Sequence, residues 1–135
     1  LAGLRIGYGL APASLASMLQ KTRQPFNANS IAQAGALAAL QDLEHQERTK
    51  AVTDAGREFF EESFKGMRID YVPSRANFVL VKVGDGDAVF DAMLRRGVIV
   101  RAMRGYKLPE WVRISIGTEH ENHRCIEVLK DVLAE

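Results

Sequence analysis

The chain has 135 residues, 47% of them hydrophobic and 26% charged, with 18 basic side chains against 17 acidic ones. That length suits one compact domain able to bury roughly two-thirds of its unfolded surface, and the apolar fraction with near-cancelled charge excludes intrinsic disorder. A formal net charge of +1 gives no general attraction for nucleic acid or anionic lipid, and no apolar run approaches the roughly 20 residues that span a bilayer. The single cysteine, Cys125, allows no internal disulfide and fits a reducing compartment. Leu1–Arg5 lacks the charged-then-apolar pattern of a secretion leader, so a cytoplasmic location is expected. The first residue is not methionine, and the chain reads as beginning inside a longer sequence.

Leu1–Gly9 is apolar and glycine-rich with no helical period, which predicts a buried strand or turn in which Gly7 and Gly9 allow close backbone approach. A short helix is predicted over Ala13–Leu19, with Pro12 tolerated in its first turn, and a loop around Pro25. Ser30 with Gln33 gives a capping pattern ahead of an alanine-rich helix to Leu43. An amphipathic helix follows from His45 to Phe64, its stripe formed by Val52, Ala55, Phe59 and Phe60 and its stop placed at Gly66.

Beyond Gly66 the pattern changes to short strands. Ile69–Val72, Asn77–Val83, Val98–Arg101 and Val112–Ile116 read as extended segments, rich in β-branched residues. A helix face of Val89, Phe90, Met93 and Leu94 follows a turn where Asp85 or Asp87 can cap, and it ends at Gly97. Thr118 with Glu121 caps a last helix carrying Ile126, Leu129 and Leu133. Residues 67–135 can therefore close as a small α/β sandwich, whereas residues 1–66 hold helices with little sheet beside them.

Several familiar chemistries lack their residues. Gly7 and Gly9 are followed by Pro12 where a dinucleotide fingerprint needs a third glycine. His120 and His123, near Cys125, read as solvated side chains rather than metal ligands, and Cys125 as a small buried hydrophobe. The arginines carry more. Arg5 sits in an apolar stretch, Arg113 alternates with Val112 and Ile114 on a strand, and Arg101 closes another apolar strand. Each alone reads as a solvent-facing or ion-paired side chain; three in such positions point to a small ligand with more than one anionic group, because the guanidinium fork matches carboxylate and phosphate.

Four segments in order carry a resemblance. Leu1-Ala-Gly-Leu-Arg5-Ile-Gly-Tyr8, Ser74-Arg-Ala-Asn77-Phe-Val, Gly97-Val-Ile-Val-Arg101 and Leu108-Pro-Glu-Trp-Val-Arg113-Ile-Ser-Ile-Gly-Thr118 resemble the C-terminal part of the fold-type I pyridoxal-phosphate aminotransferases, and among these the histidinol-phosphate branch. The Arg23–Asn27 loop also fits. The resemblance implies an α/β fold of that type, with residues 1–66 the end of the large cofactor-binding domain plus a connecting helix and residues 67–135 the small C-terminal domain.

By the same resemblance, Arg5 would bind the phosphate of pyridoxal 5'-phosphate, while Arg101 and Arg113 would hold the anionic end of the substrate. Tyr8 and Asn27 lie in active-site segments without an assigned role, and Asn77 reads as structural. The Schiff-base lysine of the family falls upstream of Leu1, so no catalytic residue is expected here; Lys21, Lys65, Lys82 and Lys107 have no motif around them. The implied parent is a homodimer that moves an amino group from histidinol phosphate to 2-oxoglutarate, and these residues alone are expected to be inert. An aromatic amino acid aminotransferase, a threonine-phosphate decarboxylase relative, or a stand-alone module binding an anion or a protein partner are the other readings.

Overall fold

The elements start where local chemistry dictates. In this computed structural model, which describes residues 1–135 with the side chain of Ala2 excepted, five α-helices and a small sheet follow a short 3₁₀ turn at the start. Helix α1, Ala13–Thr22, begins after Pro12 and ends where Arg23 turns extended ahead of Pro25. Helix α2, Ser30–Gln41, is capped by Asn29, whose side chain accepts from the Ala32 amide at 2.8 Å. The cap is thus one residue earlier than the Ser30 pattern predicts, and Gln33 reaches back to the Ala28 carbonyl instead. Asp42 breaks the run and accepts from the His45 amide, so helix α3 starts at Leu43 and continues to Met67.

The chain forms two compact units, Leu1–Glu47 and Arg48–Glu135. In the first, Leu1–Gly9, expected as a buried strand or turn, takes the form of a turn and is mostly exposed rather than buried. Ala2–Leu4 is a single 3₁₀ turn, Arg5 follows in left-handed backbone at φ +58°, and the rest to Pro12 is irregular and mostly exposed. A strand needs a partner for its amide and carbonyl groups, and the described residues of this unit contain no other strand.

The second unit is built on a four-stranded antiparallel sheet in the order β1-β2-β4-β3, with β1 Tyr71–Val72, β2 Phe78–Lys82, β3 Arg101–Ala102 and β4 Trp111–Ser115. Between β2 and β3 lies helix α4, Gly86–Arg95, capped by Asp85, and helix α5, Glu119–Leu133, closes the chain. Alternation along the strands sends Val79, Val81, Val112 and Ile114 to one face, where they are buried with Phe60, Phe64, Met93 and Leu129 from the helices. Each such large side chain contributes about 1.5–3 kcal/mol on leaving water. The buried face of α3 is Gly56-Phe60-Phe64, rotated from the predicted stripe: Val52 is half exposed and Ala55 exposed.

Three departures in this unit have local causes. Gly66 does not stop α3; Arg68 takes the left-handed position at φ +57°, with its amide bonded to the Lys65 carbonyl and that of Ile69 to Phe64. The predicted strand at Val98–Arg101 shrinks to Arg101–Ala102, because the Val98 amide is taken by the Met93 carbonyl in the matching cap of α4 around Gly97. After β4, the buried Asn122 side chain accepts from the Gly117 amide at 2.9 Å and donates to the Gly117 carbonyl at 3.2 Å, fixing the turn into α5.

Candidate functional site

Two of the three candidate arginines lie on the face of the sheet opposite the buried one. Residues opposite the buried set on β4 are Trp111, Arg113 and Ser115, and on β2 they are Phe78, Leu80 and Lys82. Register places Arg101 of β3 directly across from Arg113 of β4, and Arg113 directly across from Leu80 of β2. Paired residues of antiparallel strands project to the same side, so the two arginines expected to hold an anion stand next to one another. Like charges in direct opposition are destabilising on a sheet, and an anion between them would reverse the sign of that interaction.

Each guanidinium rests on an aromatic ring that sequence reasoning did not single out. Arg113 Cζ lies 5.0 Å from the centre of the Phe78 ring, and Arg101 Cζ 5.5 Å from that of Tyr106. Arg101 also donates to the Tyr106 hydroxyl at 3.4 Å. Phe78 sits diagonally from Arg113, within reach of a long side chain. The signal for Phe78 was its alternation with Val79 and Val81; Tyr106 had none beyond its place in a glycine-containing turn five residues after Arg101.

Arg113 is half-buried, and its Nε is the one buried side-chain nitrogen or oxygen among the described residues without a hydrogen-bond partner. Leaving such a donor unmet costs about 1–3 kcal/mol. A guanidinium with a spare buried N–H, beside a second guanidinium on the same face, is the donor set for a multivalent oxyanion such as phosphate or carboxylate.

Arg5 belongs to the other unit. It was expected to be buried in an apolar stretch; it is exposed, in the left-handed turn after Leu4. That unit has a cavity of about 420 Å³ lined by Leu1, Ile6, Gly7, Tyr8, Ala36 and Leu40 among others. The lining is mainly apolar and contains neither Arg5 nor a lysine.

The remaining candidates have structural places. His123 lays its ring on Phe59 at 4.3 Å between centres. Cys125 is buried, and desolvation pushes its thiol up to about 11, which keeps it a protonated, unreactive hydrophobe near neutrality. Asn77 accepts the Ile116 amide through its carbonyl at 2.9 Å, joining the ends of β2 and β4. Among the described residues no helix is long and apolar enough to cross a membrane.

Comparison with known proteins matches this arrangement to a family. Residues 1–129 fit the model of aminotransferase class I and II. A histidinol-phosphate aminotransferase of Akkermansia muciniphila is 59% identical over 133 residues, covering 98% of this chain and 37% of its own length. Histidinol-phosphate aminotransferase 1 of Nitrosococcus oceani is 51% identical over 136 residues, covering 100% of this chain and 37% of its own. The crystal structure of histidinol-phosphate aminotransferase from Sinorhizobium meliloti in complex with pyridoxal-5'-phosphate superposes with a TM-score of 0.78 at 27% identity, over 99% of this chain and 38% of that one. This chain thus spans little more than a third of the length of the relatives it matches, and it belongs to the aminotransferase class I and II family.

Proposed function

We propose that these residues supply the C-terminal part of a pyridoxal-phosphate-dependent histidinol-phosphate aminotransferase, acting in the cytoplasm as a homodimer on histidinol phosphate and 2-oxoglutarate. Residues 1–66 would be the end of its large domain with the connecting helix, and residues 67–135 its small domain. The observation that carries the reading is the in-register pair Arg101 and Arg113 on one sheet face, with the buried Arg113 Nε unmet. Two fixed positive charges suit a phosphate monoester, which carries about −1.5 to −2 at neutral pH.

In this reading Arg113 and Arg101 bind and orient the substrate by its anionic end, and the remote charge–charge energy holds the reacting amino group in place. Arg5 would hold the cofactor phosphate, a role that suits its guanidinium chemistry. When bound, pyridoxal phosphate supplies the electron sink that lets an amino group be exchanged between carbon skeletons. With no residue here placed to hold or move the proton in that exchange, the 135 residues alone are expected to be inactive.

The test is steady-state kinetics on a complete polypeptide carrying this segment. Histidinol phosphate is expected to be the preferred donor, and Arg113→Gln to lower its kcat/KM by roughly 100-fold, on the order of one charge-assisted pair in a half-buried site. A preference for phenylalanine or tyrosine over histidinol phosphate would transfer the assignment to an aromatic aminotransferase. Carbon dioxide release from a phosphorylated amino acid would transfer it to the decarboxylases.

A further inference from the structure

The site poses a mechanical question. Arg101 lies on β3, a two-residue strand at the edge of the sheet, is exposed, and faces a like charge. Left to itself, a long side chain there would swing into solvent, away from Arg113. What opposes this is the turn that follows. Met103 is buried, donates its amide to the Trp111 carbonyl at 3.1 Å, and accepts from the amides of Tyr106 at 2.9 Å and Leu108 at 3.3 Å. Arg104 is ion-paired with Asp87 of α4. Lys107 then reverses the chain in left-handed backbone at φ +61°. The turn is fastened to β4 and to α4, and it returns the Tyr106 ring to Arg101.

We propose that Tyr106 is a positioning residue for the anion site, holding Arg101 over its ring and against its hydroxyl so that Arg101 and Arg113 close together on one tetrahedral dianion in preference to a carboxylate. This rests on the reading of Arg101 and Arg113 as anion-binding side chains. The two guanidiniums are supported in the same manner, Arg113 by Phe78 and Arg101 by Tyr106, but with a difference. Phe78 is part of a central strand, whereas Tyr106 is 58% exposed on a turn and supports the outer arginine. Cation–aromatic contacts of this exposed kind change an affinity by about 2- to 5-fold. A carboxylate can be satisfied by Arg113 alone, so the outer arginine matters most for a group with a second charge and a third oxygen.

The test is nitrogen-15 NMR of arginine Nε groups in a complete polypeptide carrying this segment, titrated with inorganic phosphate and separately with acetate. Phosphate is expected to shift the Arg101 and Arg113 signals together and saturably. Tyr106→Leu should weaken phosphate binding about 2- to 5-fold, leave acetate binding within about 1.5-fold, and collapse the Arg101 signal toward that of a freely rotating side chain. Tyr106→Phe should restore the affinity to within about twofold of the parent. If Tyr106→Leu lowers the spread of the amide spectrum, Tyr106→Gln, which keeps the length and drops the ring, makes the same comparison. Unchanged phosphate binding and an unchanged Arg101 signal in the ringless variants, with binding abolished by Arg113→Gln, overturn the role of Tyr106 and leave the two-arginine site standing. Equal weakening of phosphate and acetate overturns the selectivity. Phosphate that moves neither arginine in the parent chain overturns the anion reading and the inference with it.

Discussion

The units Leu1–Glu47 and Arg48–Glu135 are both rich in helix, but they are held by different means. In the first, α1 buries no residue and α2 buries only Ala32, while Leu10 and Phe26 are 93% and 99% exposed. Its order comes from local devices: the Asn29 cap, five alanines of high helix propensity in α2, and prolines at either end of α1, Pro12 before its start and Pro25 beyond its stop. In the second, every helix and two strands contribute to one buried cluster, and hydrogen-bonded ladders fix the register. Local propensity can shape a helix, but a packed sheet face is what gives side chains such as Arg113 a defined address.

The largest expected effect separates the two directly. Phe64 is fully buried and stacks near Phe60 at 5.8 Å, so Phe64→Ala should cost about 3–5 kcal/mol through lost transfer energy and the cavity left behind. Leu37, 61% exposed in α2, should lose no more than about 0.5 kcal/mol as Leu37→Ala, because alanine and leucine are near-equal helix formers. Urea denaturation followed by circular dichroism checks both. A loss above 2 kcal/mol at Leu37 would mean that the first unit has a core of its own.

A smaller pair of effects, opposite in sign, concerns two equivalent turns in the second unit. Helices α3 and α4 end alike, with a left-handed residue after the last turn and the same two backbone hydrogen bonds, but the residue is Arg68 in one and Gly97 in the other. Left-handed backbone costs a side-chain-bearing residue about 1–2 kcal/mol relative to glycine. Gly97→Ala should therefore destabilise by about 1 kcal/mol, although open space surrounds it, and Arg68→Gly should stabilise by about 0.5–1 kcal/mol after the entropy of the added glycine. Thermal unfolding of the two variants gives the signs.

That pair also shows what was legible. The stop at Gly97 could be read because glycine advertises the conformation; the stop at Arg68 could not, since arginine does not, and Gly66 drew the boundary two residues early. Arg101 and Arg113 could be read as strand arginines, yet their opposition could not, because register between β3 and β4 is a non-local property. The same holds for the rings beneath them. Leu1–Gly9 read as a buried strand or turn, and of the two only the turn forms, exposed rather than buried: an apolar, glycine-rich run satisfies the pattern of a strand, but a strand exists only where another strand answers its hydrogen bonds. Helix caps are local, and those at Asp85 and Thr118 were legible, whereas Asn29 displaced Ser30 by one residue and the Asp42 cap of α3 was passed over for a start at His45.

Caps give the finest form of the comparison. Asn29 caps α2 with a neutral amide, whereas Thr118 caps α5 within a reciprocal pair, its hydroxyl accepting from the Glu121 amide and the Glu121 carboxylate accepting from the Thr118 amide at 2.7 Å and hydroxyl at 2.8 Å. Thr118→Ala should cost about 1 kcal/mol of global stability. The Thr118 backbone amide and then its hydroxyl hold the Glu121 carboxyl below the usual carboxylate range. A carboxyl lowered in the folded state stabilises that state above its ordinary pKa, and the contribution fades as pH falls through the folded value. The acid limb of unfolding should therefore be shallower in Glu121→Gln and in Thr118→Ala than in the parent. Asn29→Ala should shift helicity equally at pH 3 and pH 7, because an amide does not titrate. Amide protection at Glu121 that did not weaken with acid, or protection at Ala32 that did, would mean that the two caps work by the same means after all.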